Sequence, residues 1–144
     1  MDAIGRTIDE LGRQLSDLPE KDRPAQVIVT ILTDGLENAS QRYTWKDVSE
    51  RIKHQSDFYK WTFLFLGANQ DAIATAAQIS IAASNASGYA ADPIGTHSSH
   101  RSTARKVRAL RKMSMGTANA EDHRDAAAPM SDIVKEEDQK ERGK

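Results

Sequence analysis

The feature that most constrains this chain is residues 27–33, Val-Ile-Val-Thr-Ile-Leu-Thr, an unbroken apolar, β-branched run that stops at Asp34 and Gly35. The run does not alternate, so as a strand it needs cover on both faces, the environment of a parallel sheet packed between helices. Asp-Gly is a turn signal. A second run, residues 61–66 (Trp-Thr-Phe-Leu-Phe-Leu), ends in the same way at Gly67.

Helical patterns flank both runs. Ile4, Ile8, Leu11, Leu15 and Leu18 form one stripe, with Arg6, Asp9, Glu10, Arg13 and Asp17 off it, and Pro19 ends the segment. Thr44 with Asp47 three residues on predicts a capping box. Beyond it, Trp45, Val48, Ile52 and Tyr59 share a side opposite Lys46, Glu50, Arg51 and Lys53. Asn69 or Asp71 is placed to cap a short helix reaching Ile79, and residues 81–83 are the candidate start of a third strand. Helix, strand, helix, strand, helix is the order of an α/β layered fold with a parallel sheet. Ligands of such sheets sit at the carboxyl ends of the strands, where Asp34 and the Gly67–Asp71 loop lie. Trp45, Tyr59, Trp61, Phe63 and Phe65 read as core aromatics.

Charge divides the 144 residues into three regimes. Residues 1–92 carry nine Lys/Arg and thirteen Asp/Glu, residues 93–120 six cations and no acid, and residues 121–144 five cations against eight acids. Residues 96–113 predict a helix with a weak stripe of Thr103, Val107 and Leu110. The polar balance (mean hydropathy −0.64) and the want of periodicity predict a disordered charged tail over 114–144, with at most a transient helix around residues 131–141, so the expected division is 1–113 and 114–144. Cysteine is absent, which excludes disulfides, thiolate catalysis and cysteine-based zinc sites. No apolar run approaches the ~18 residues that a membrane span needs. The expectation is a cytoplasmic protein with no membrane partner.

Residues 33–40, Thr-Asp-Gly-Leu-Glu-Asn-Ala-Ser, carry the most chemistry. A carboxylate at the end of a buried strand suits a divalent cation, and the following glycine allows close backbone turning. The plain alternative is a turn with no ligand. Residues 27–40 resemble the strand and T-D-G segment of the metal-ion-dependent adhesion site in von Willebrand factor A-like domains. Residues 2–8 and 63–71 resemble small bacterial and phage-type members, and the resemblance covers residues 2–110. It implies a Rossmann-like three-layer fold and a non-enzymatic, protein-binding module of the adhesion or scaffolding kind. Asp34 would be the metal ligand, with Gly35, Glu37, Asn38, Ser40, Asn69 and Asp71 at the partner surface.

The family site also needs a D-x-S-x-S motif and an upstream threonine, and this sequence holds neither. The expectation is therefore an incomplete domain lacking its amino-terminal strands, in which Mg²⁺ binds only where missing residues or a partner complete the site. It also leaves an open edge on the 27–33 strand, which predicts self-association or pairing with another protein.

Arg101, Arg105, Lys106, Arg108, Arg111 and Lys112, with His97 and His100 nearby, form the basis of the alternative, a nucleic-acid-associated protein. Its plain counterpart is a solvated helix face balanced by the acidic segment that follows. No aromatic residue interleaves with these cations, so single-strand stacking is disfavoured. A metal-dependent hydrolase using Asp34 and Asp71 ranks last, because no further strand-end carboxylate accompanies them. No G-x-S-x-G elbow and no phosphate-binding glycine loop occurs.

Overall fold

The computed structural model describes residues 1–35, 39–68 and 71–144. Its elements run α1 (Asp2–Ser16), β1 (Ile28–Thr33), α2 (Trp45–Tyr59), β2 (Thr62–Ala68), α3 (Ala72–Gln78), β3 (Ala86–Tyr89), α4 (Pro93–Met115), α5 (Ala120–Ala127) and α6 (Met130–Arg142). The three strands form one parallel sheet in the order β1-β2-β3. Ile28 lies beside Thr62 and Thr33 beside Gly67, and Phe65 to Ala68 pair with Ala86 to Tyr89.

The two uninterrupted apolar runs become β1 and β2; β2 is covered on both faces as expected, whereas β1 is only partly buried and leaves Leu32 exposed. Phe63 and Phe65 point to one face of β2, into a core with Ile8, Val48, Ile52, Ala76 and Ile79. Leu64 and Leu66 point to the other, against Met130 and Val134. Thus α1, α2 and α3 cover one face and α4 and α6 the other, a Rossmann-like α/β sandwich. Both crossovers step the same way across the sheet, which places α2 and α3 on one face.

Local chemistry sets the boundaries. Thr44 and Asp47 form the predicted capping box, and Lys60 closes α2 in the left-handed conformation. The Asp71 carboxylate accepts from Ala74 N–H (3.1 Å) and opens α3. Asp92 accepts from Gly95 N–H with Pro93 in the first turn, and Gly116 (φ 71°) ends α4.

Several expectations are corrected. The third strand begins at Ala86, because residues 83–85 form a 3₁₀ turn and Ile81 is a core residue. Tyr59 is 62% exposed at the end of α2, whereas Trp61, Phe63 and Phe65 are buried. Residues 114–144, expected as a disordered tail, hold α5 and α6, both packed on α4. The buried side of α4 is Gly95, Ser98, Ser99, Ser102, Lys106 and Ala109 in place of the Thr103, Val107 and Leu110 stripe. Small side chains let α4 approach its neighbours closely, and the charges of α5 and α6 supply the partners that burial of its cations demands.

Candidate functional site

At the carboxyl rim of the sheet, Asp34 follows β1 and is exposed. The Thr33 hydroxyl donates to the Gly35 carbonyl (3.0 Å) and accepts from Gly35 N–H (3.4 Å), tightening the turn. Tyr89, at the end of β3, donates from its hydroxyl to the Thr33 carbonyl (3.4 Å) across β2. Burial raises the Tyr89 phenol above its usual range, and the negative charge of Asp34 adds to it. Sequence reasoning missed Tyr89, since Ala-Ser-Gly-Tyr carries no strand signature.

The other predicted rim residues fare differently. Glu37, Asn38 and Asn69 lie outside the described residues. Gly35 is not in the left-handed region, and no described atom comes within 4 Å of the place a Cβ would take. Asp71 spends part of its carboxylate on the cap of α3.

Ser40 is held elsewhere, its Oγ accepting from Asp2 N–H (3.0 Å) at the start of α1. The Asp2 carboxylate in turn accepts the N–H groups of Gln41, Arg42 and Tyr43 (2.8–2.9 Å), which hold it below the usual carboxylate range. That clasp fixes the segment leading into α2 against α1. Asp9 adds a second tie, accepting from Arg51 Nε (2.8 Å) and the Tyr43 hydroxyl (2.9 Å). No sequence-local signal announces either pairing.

Among the described residues no group of three or more His, Asp or Glu stands close enough to hold a metal ion. Asp34 is a single carboxylate, and Mg²⁺ requires a near-octahedral oxygen shell. The described residues therefore do not by themselves fit a resident Mg²⁺.

The basic segment lies on α4, and half of its six cations face acids. Arg105 makes a two-pronged contact with Asp125 (2.7 and 2.8 Å) and reaches Glu136 (2.8 Å) and Glu137 (3.1 Å). Arg101 meets Glu137 (3.2 Å) and Glu141 (3.3 Å), and Lys112 meets Asp122 (3.3 Å). Lys106 is buried, its ammonium donating to the carbonyls of Asp125, Ala126 and Ala128 at the end of α5 (2.7–3.1 Å). Burial lowers its pKa, with Asp125 opposing. Arg108 and Arg111 complete the six. Four of the six cations are thus committed to the fold, which leaves a reduced surface for phosphate. His97 stands 3.6 Å from Glu141 and belongs to the same network.

At the opposite, amino end of the strands a cavity of about 260 Å³ opens between α1 and α2, lined by Leu15, Val27, His54, Gln55, Tyr59 and Trp61 among others. No described helix is long and apolar enough to cross a membrane. Compared with known proteins, the chain matches no family model, no curated protein and no solved structure.

Proposed function

We propose that this chain is a von Willebrand factor A-like, protein-binding module without enzymatic activity, whose partner docks on the carboxyl rim of the sheet around Asp34. The observation that carries the reading is an exposed carboxylate standing directly after a parallel strand, at the rim where ligands of such sheets collect. Gly35, Tyr89 and Asp71 extend that rim over the ends of all three strands. Contact is direct: the partner supplies hydrogen-bond donors or a cation to Asp34.

Selection from a displayed peptide library on the immobilised chain, with and without Mg²⁺, tests the reading. Because Asp34 is exposed, Asp34→Lys leaves the fold intact and reverses the rim's local charge. Enriched peptides that bind the wild type and lose at least about tenfold affinity for Asp34→Lys, ~1.4 kcal/mol, support the proposal. Peptides indifferent to that substitution refute it.

A further inference from the structure

The sheet has two edges, and the chain treats them differently. β3 is four residues long and lies under α3, α4 and α6, with Ala86 and Ser87 buried. A short edge tucked against helices resists pairing with other strands. β1 has six residues, Ile-Val-Thr-Ile-Leu-Thr, with no charge, proline or glycine, and among the described residues no strand lies on its outer side.

The direction of its free groups follows from one hydrogen bond. The Val27 carbonyl accepts from Thr62 N–H (2.9 Å), so odd-numbered residues of this strand bond to β2. Backbone alternation then sends the N–H and C=O groups of Ile28, Thr30 and Leu32 outward. A groove follows this edge on one face, walled by Ala3, Ile4 and Thr7 of α1. On the other face a second opening lies between Ile28 and Val107, Arg111 and Met115 of α4. Leu32 remains 39% exposed. A strand laid along β1 would find backbone partners and walls on both sides.

We propose that the occupant is the β1 strand of a second copy of this chain, paired antiparallel about a two-fold axis normal to the sheet. A lone captured strand would leave its own outer edge open and pass the hazard on. A second copy ends the sheet at its own sheltered β3, giving a closed order β3-β2-β1-β1-β2-β3. Two uncharged edges meet without repulsion. The normal axis also keeps the α1 and α2 layers of both copies on one face. Residues opposite each other then share a face, so either Thr30 or Ile31 meets its own copy at the axis. This inference concerns a different surface from the rim and stands or falls apart from it.

Light scattering during size-exclusion chromatography should give twice the 15.9 kDa chain mass, falling to one chain mass for Thr30→Pro and for Leu32→Lys. Thr30 N–H points away from β2, so proline there keeps the inner ladder, and unchanged far-ultraviolet circular dichroism verifies the fold. The native chain has no cysteine, so Thr30→Cys and Ile31→Cys each carry one thiol. Directly opposite residues lie ~4.5–5.5 Å apart at Cα, within disulfide reach, so one of the two should oxidise to a covalent dimer. A cysteine at exposed Lys53 on α2 should not. A wild-type monomer at every concentration, open-ended aggregates, or a dimer that ignores all these changes overturns the proposal.

Discussion

Replacing Arg105 by methionine removes the hub that joins α4 to α5 and α6. The guanidinium keeps 13% of its side-chain surface in water, while Asp125 and Glu137 keep 6% each. Stranding a buried charge by deleting its partner costs ~3–5 kcal/mol. Two facts move the expectation to the lower end. Glu137 retains Arg101 (3.2 Å) and Lys140 (3.3 Å), and Glu136 is more than half exposed, so its loss counts for little. Asp125 is the residue left without its two-pronged donor, and methionine regains part of the loss by packing its stem. The net is about 3 kcal/mol, or a Tm about 10 °C lower for a chain this size.

Urea denaturation followed by circular dichroism measures it, with the double variant Arg105→Met, Asp125→Leu closing a mutant cycle. Most of the loss should return in the double variant, since the cost lies in the stranded carboxylate. The penalty should also shrink in acid. A loss under about 1 kcal/mol at neutral pH, or one that persists undiminished once the carboxylates are protonated, would refute the reasoning.

Lys106→Met strips three carbonyls at the end of α5 of their donor; against the relief of a desolvated ammonium, the expected net loss is about 2 kcal/mol in the same assay. Gly95→Ala sets helix propensity, a gain of ~1 kcal/mol, against a Cβ driven into the Ala90 carbonyl, whose carbon it meets at 2.8 Å; backbone cannot rotate aside, so a net loss of ~1–2 kcal/mol is expected in thermal melts. For pH, the Arg105 hydrogen bonds hold Asp125 below its ordinary 3.8. Burial pushes Glu137 up, but bonds from Arg105, Lys140 and Arg101 outweigh it and leave Glu137 below 4.5. Carboxylates with lowered folded pKa stabilise above the unfolded value and lose that contribution as pH falls. Stability should therefore decline from about pH 4.5 downward, with amide exchange rising first in α5 and α6.

Much of this fold was legible because its determinants are local. Residues 27–33 and 61–66 announce strands by unbroken apolar runs, and Thr44 with Asp47 declares a helix start within four residues. The third strand was placed too early, at residues 81–83, since Ala-Ser-Gly-Tyr is a strand only by virtue of pairing with β2. The stable packing of the carboxyl helices, of which residues 131–141 read only as transient helix, was hidden for another reason. The buried side of α5 is Asp122 and Asp125, and the stripe Met130, Ile133, Val134 of α6 is completed by Glu137. A pattern that equates charge with solvent reads such faces as exposed, although each acid there meets a cation of α4. At the rim, Asp34 was found from its place after an apolar run. Tyr89 was not, because its place at the rim depends on the pairing of β3 with β2, and its hydroxyl meets Thr33, 56 residues away.

The acids that neutralise α4 all follow it in the chain. During translation the cationic stretch is therefore made before its counter-charges, and a polypeptide halted near Gly116 carries the six cations of α4 with none of these acids yet present. Folding of α5 then buries Lys106 and pairs Lys112 with Asp122, and α6 brings Glu137 and Glu141 to Arg101 and Arg105. The order of residues thus makes the cover of α4 a late step, since the final thirty positions supply every acid that its cations meet.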